Sequence, residues 1–121
     1  MPVPSSLRIW FIIHFVVDIL FAVPLLLAPH WFLSILGFKM ITPVLARLVG
    51  AALIAIGTTS LLLRNKSEES YIALLTLKIL WSISAIIGIS LSLNDGPKII
   101  WPILVVFLFF ASLWIYYLRR L

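Results

Sequence analysis

Residues 7–28, LRIWFIIHFVVDILFAVPLLLA, make an apolar run that carries His14 and Asp18 in its middle. A hydrocarbon core about 30 Å thick takes about 20 apolar residues in a helix, so the run is long enough to cross a bilayer. An acid at that depth costs at least ~2.5–3.5 kcal/mol, and it therefore needs a partner or a purpose. Backbone groups in lipid must be satisfied within the chain, which leaves helices as the economical fold for such a run.

Composition extends this to the whole chain. The 121 residues are 64% hydrophobic and 11% charged, where soluble domains run about 45–50% apolar and about 25% charged. That balance predicts one integral membrane domain over residues 1–121. The absence of cysteine excludes disulfides, thiolate metal sites and a CxxC redox role for the chain itself. The net charge of +5 sits at segment ends, with no run dense enough for nucleic acid. The first apolar run reads as an uncleaved span rather than a signal peptide. It is too long, holds an acid, and is not followed by a small-residue cleavage site.

Four spans are expected, at about 7–28, 43–63, 71–93 and 99–117. Pro2 and Pro4 discourage helix in the lead, and Ser5 or Ser6 can cap the first span. Pro24 lies inside that span and Pro29 stops it. The segment HWFLSILGF is too short to cross, so Trp31 and His30 belong to an interfacial helix or re-entrant turn ending at Gly37. Thr42-Pro43 is a cap followed by a first-turn proline. Span two carries the small pairs Ala46/Gly50 and Ala51/Ala55, and span three the small ridge Ser84/Gly88/Ser92, both signatures of close helix contact in lipid. Ser67 or Ser70 can cap span three, and Asn94-Asp95-Gly96-Pro97 is a turn.

The fold class is thus all-α, a four-transmembrane-helix bundle with a short interfacial helix between spans one and two. An even number of spans puts both termini on one side. That side holds Arg8, Arg64, Lys66, Arg119 and Arg120; the other holds Lys39 and Lys98, with Arg47 just inside span two. The excess of basic residues makes the termini cytoplasmic in the cell membrane. Trp10, Trp114, Tyr116 and Tyr117 fit the cytoplasmic aromatic belt, and Trp31 and Trp101 the outer one.

Four ionisable residues lie inside the spans: His14, Asp18, Arg47 and Lys78. His14 and Asp18 are one turn apart and share a face. Arg47 shares a face with Pro43, Gly50, Ala51, Ile54 and Thr58, the small side of its helix, so it is expected to look inward and meet Asp18, although its length also allows it to reach outward to headgroups. The Lys78 face carries Trp81, whose indole at mid-membrane needs an acceptor. The expected site is a cluster of Asp18, His14, Arg47, Lys78 and Trp81 on three helices. Beside it stands the plainer reading, in which buried ion pairs only fix helix register. His14 lacks the second histidine or carboxylate set of a metal site, no Ser sits in a nucleophile elbow, and no phosphate loop is present. The Ser and Thr residues of spans two and three are expected to bond their own helix backbone or a neighbour.

The run D18ILFAVPLLLAPHWFLSILGF followed by A46RLVGAALIAIGTTSLLLRN resembles the small four-span prokaryotic membrane proteins called DoxX-like. The features that carry the likeness are Asp18, Ala28-Pro29, Leu36-Gly37, and Ala46-Arg47 with Gly50 and Gly57; the second half matches by hydropathy alone. The resemblance implies a four-helix bundle, with Asp18 and Arg47 as the pair to watch. It also implies links to quinone-coupled oxidoreductases or to membrane-protein assembly.

Three functions follow as expectations. The first is a non-enzymatic bundle that binds a hydrophobic ligand (a lipid or quinone) or acts as accessory partner of a membrane complex. The polar cluster would orient the ligand head while Phe11, Phe15 and Trp81 take its body. The second is a proton-coupled transporter working as a homo-oligomer through Asp18. The third is a small intramembrane isomerase using Asp18 and His14 as acid and base. No cofactor is implied.

Overall fold

The computed structural model describes residues 3–121; the expectation for Pro2 lies outside them. The described chain is all-helical, with five helices in order: α1 (Ser5–Leu27), α2 (Pro29–Ile35), α3 (Pro43–Leu62), α4 (Glu68–Leu91) and α5 (Ile100–Leu118). All but α2 are long and apolar enough to cross a membrane, and α2 is the short helix expected between the first two. Large apolar side chains remain open along them, such as Leu20 at 66%, Leu91 at 80% and Val105 at 62% exposure. Such surface marks a membrane protein, because water would not tolerate apolar patches of this extent.

The breaks follow from local backbone chemistry. Ala28 precedes a proline, which disfavours the α region, and it takes φ −143° and ψ 59° between α1 and α2. Pro29 does not simply end the first span; it is the first residue of α2. Gly37 follows α2 with a φ of 97°, a left-handed conformation that glycine adopts without steric penalty. Thr42 precedes Pro43 at the start of α3 as expected, without a side-chain hydrogen bond. The cap of α1 is Pro4, so Ser5 and Ser6 already lie in its first turn. Ser67 caps α4 by accepting from the Ser70 N–H at 3.4 Å. That helix therefore begins three residues before the expected boundary, with Glu68 and Glu69 favoured at the positive end of its dipole.

The chain divides into two compact units, residues 4–66 and residues 67–121 with Val3. In the first, α1 and α3 run antiparallel, with α2 beside them at the end of α1. Their buried faces are Leu7, Phe11, His14, Asp18, Ala22 and Leu25 on α1, and Ala46, Gly50, Leu53, Ile56, Gly57 and Ser60 on α3. Both faces recur at three- and four-residue spacings, with Ile56 beside Gly57 on α3, as for two helices packed closely along their length. The helix ends are tied reciprocally. Arg47 Nε donates to the Leu26 carbonyl at 3.0 Å at the end of α1, and Arg8 donates to the Arg64 carbonyl just past the end of α3. Each cation thus meets the negative end of the other helix. Phe21 and Phe32 pack edge to face at 6.0 Å and hold α2 to α1.

In the second unit α4 and α5 form a helical hairpin through the turn at 94–97, where the Asp95 and Gly96 N–H groups both donate to the Ser92 carbonyl. Pro102 sits in the first turn of α5, where its missing N–H costs little. The expected small ridge on α4 does not pack against the rest of the described chain: Ser84, Gly88 and Ser92 are exposed, and a Cβ built on Gly88 meets no neighbouring described atom within 4 Å. Gly88→Ala is therefore expected to raise stability by up to about 1 kcal/mol through helix propensity alone, measured as thermal unfolding in detergent. A loss of stability instead would show that something packs on that face. On α3 only the pair Ala46/Gly50 is buried, while Ala51 and Ala55 are exposed. Thr76 and Ser92 bond the carbonyl four residues back in their own helix, and so does Ser60, the own-backbone alternative expected for spans two and three; Ser112 of α5 does the same.

Candidate functional site

The polar centre of the first unit is built on α1. Asp18 lies about 20 Å from the start of α1 and about 14 Å from its end, close to mid-span by helical rise. One turn earlier lies His14, and the two are held 3.4 Å apart, Nε2 to Oδ1, with both side chains buried. Their i,i+4 spacing makes the pair a local consequence of the helix. Across from them α3 presents Gly57. A Cβ built there would stand 3.0 Å from Asp18 Oδ2 and 3.1 Å from Asp18 Cβ, so the carboxylate occupies the space that a side chain on α3 would need. Only glycine allows α3 to pass this close to an intramembrane acid. Among the described residues, no group of three or more His or carboxylate side chains assembles.

Arg47 does not join this pair. It is exposed, and its Nε donates to the Leu26 carbonyl at the end of α1. Two geometric causes separate it from Asp18. The inward position on α3 is Ala46, and Arg47 lies about 100° around the helix from it. Antiparallel register also sets Asp18 beside Gly57, which is ten residues from Arg47, about 15 Å along the axis. Arg47 instead turns to the end of α1.

Lys78 and Trp81 belong to the second unit. Lys78 lies about 15 Å from the start of α4 and is fully buried. Its Nζ sits 5.0 Å from the ring centroid of Trp114, within the range of a cation–π contact. Trp114 in turn stacks on Phe110 at 5.6 Å with 22° between planes. Half-buried Trp81 packs against Phe107 at 6.3 Å. Trp114 is thus not part of an aromatic belt: it is completely buried and is the platform under Lys78. Tyr117 is buried as well, whereas Tyr116 is exposed, with the Arg120 guanidinium 4.4 Å from its ring centroid. Trp31 and Trp101, expected at the other belt, are exposed. The signal for the missed contact was present in the sequence, since an intramembrane lysine seeks an aromatic face, but it did not indicate which tryptophan would supply it.

These features define a helical membrane protein with ionisable side chains buried near mid-span. Compared with family models, with curated proteins and with solved structures, the chain matches none.

Proposed function

We propose that this is a non-enzymatic membrane protein that binds a hydrophobic ligand with a polar head, a lipid or a quinone, or acts as an accessory or assembly partner of a membrane complex. The observation that carries the reading is the His14–Asp18 pair. Both side chains are buried near mid-span, and α3 passes the carboxylate with a glycine, Gly57. Ionisable groups at membrane depth are candidates for a ligand head group by default, because holding them there is costly. Cytoplasmic termini in the cell membrane follow from the basic residues at the helix ends. The DoxX-like resemblance, carried by Asp18, Ala28-Pro29, Leu36-Gly37 and Ala46-Arg47, is the family proposal, and it agrees with a quinone or assembly role.

A second reading is favoured by the same 3.4 Å approach, which lets one proton be shared between imidazole and carboxylate. It is proton-coupled transport through Asp18 by a homo-oligomer. The two separate experimentally. On the binding reading, quinone or lipid raises the unfolding midpoint of the wild-type protein, and the isosteric Asp18→Asn abolishes that rise while leaving the ligand-free midpoint within about 1 kcal/mol. A rise that survives in Asp18→Asn sinks the assignment to this pair. Asp18-dependent proton uptake in liposomes would instead select transport.

A further inference from the structure

A second polar feature of residues 4–66 lies well away from His14 and Asp18. The end of α1, the helix α2 and the start of α3 surround an open groove of about 810 Å³, lined among others by Leu27, His30, Trp31, Ile35, Pro43 and Arg47. Its walls are mostly apolar. Among its lining residues Arg47 carries a permanent positive charge and none is acidic. Arg47 gives one N–H to the Leu26 carbonyl, and a guanidinium has five, which leaves the four on its terminal nitrogens for a ligand. That planar fork matches phosphate oxygens in a two-point hydrogen bond. Exposed Trp31 places an amphipathic ring at the same groove, as suits headgroup depth.

We propose that this groove binds an anionic phospholipid, with the Arg47 guanidinium holding the headgroup phosphate and Leu27, Ile35 and Pro43 taking the start of an acyl chain. The hydrogen bond to Leu26 fixes the guanidinium in place, so less side-chain freedom is lost when the phosphate arrives. This site does not depend on the His14–Asp18 reading, and its failure is distinguishable from the failure of that reading.

The test uses the full chain, stripped of lipid in neutral detergent, with bound adducts counted by native mass spectrometry and stability followed by thermal unfolding. Phosphatidylglycerol is compared with diacylglycerol of the same chains and with inorganic phosphate. The wild-type protein is expected to hold and be stabilised by phosphatidylglycerol but not by the other two. Arg47→Gln is expected to weaken phosphatidylglycerol binding about fivefold, the effect of one interfacial cation. Ser34→Glu places a carboxylate in the groove while leaving the Arg47–Leu26 bond in place, and it is expected to weaken binding at least as much. Asp18→Asn is expected to bind phosphatidylglycerol as the wild type does. Undiminished binding in both groove variants overturns the proposal. So does equal binding of diacylglycerol, full stabilisation by inorganic phosphate alone, or loss of binding in Asp18→Asn with retention in the groove variants.

Discussion

Trp114→Ala is expected to destabilise the α4–α5 hairpin by about 3–5 kcal/mol, the range for emptying a fully buried aromatic site. Trp114 is the largest side chain in the molecule with no exposed surface. Its removal does two things at once. It leaves a cavity beside Phe110, the ring stacked on it at 5.6 Å, and it takes the aromatic face from Lys78, whose Nζ lies 5.0 Å from the ring centroid. A desolvated cation–π contact alone is worth about 2 kcal/mol. Trp114→Phe keeps a smaller ring in the site and is expected to lose less than half as much. The measurement is equilibrium unfolding in mixed micelles. Combining Trp114→Phe with Lys78→Met closes a double-mutant cycle, in which a coupling of about 0.5–2 kcal/mol marks the cation–π contact. A midpoint for Trp114→Ala within about 0.5 kcal/mol of wild type would contradict the burial of this ring.

What could be read from the sequence was whatever depends on near neighbours along the chain. Hydropathy is a local sum, and it marks all four long helices. Proline and glycine act on their own φ and on the residue before them, so the breaks at Ala28-Pro29, Gly37 and Thr42-Pro43 were also legible. The early start of α4 was missed for a related reason: a hydropathy window excludes Glu68 and Glu69, although capping by Ser67 and the helix dipole favour them in a first turn. The His14–Asp18 pair needed only the helical repeat.

The remaining features depend on which face of a nearly uniform apolar helix turns inward, and on the register between two helices. Neither is encoded locally. Arg47 shares a helical side with Gly50, yet Ala46 is the inward residue, and register sets Gly57 beside Asp18. The ridge of Ser84, Gly88 and Ser92 has the same spacing as a packing seam, but small residues also occur where a helix faces outward. Trp114 near the end of a span looks like a belt residue until its burial is known. In lipid the hydrophobic effect does not choose the inward face, so close packing has to, and packing is a property of pairs.

Gly50 is the position where that packing is tightest against main chain. A Cβ built there stands 3.1 Å from the Ala22 carbonyl oxygen, 3.3 Å from Leu25 Cβ and 3.4 Å from the Leu26 nitrogen. Two of these three neighbours are backbone of α1, and the third is a Cβ fixed to it. None can turn aside as the end of a flexible side chain would. For Gly50→Ala, the helix propensity gain of about 1 kcal/mol partly offsets the crowding. Gly50→Leu adds three more carbons with nowhere to go, and α1 and α3 must separate. Separation loosens the neighbouring contacts at Ala46 and Leu53 and lengthens the Arg47–Leu26 hydrogen bond that closes this end of the pair. The expected loss for Gly50→Leu is about 3 kcal/mol, the upper end of the usual range for overpacking. Ala51→Leu, one residue on and exposed, adds comparable bulk to the same helix and is expected to change stability by less than about 0.5 kcal/mol. Unfolding midpoints of the two variants, measured side by side in one detergent, test the register directly. Equal losses would mean that α3 does not turn Gly50 toward α1, and the approach of Gly57 to Asp18, which shares that face, would fall with it.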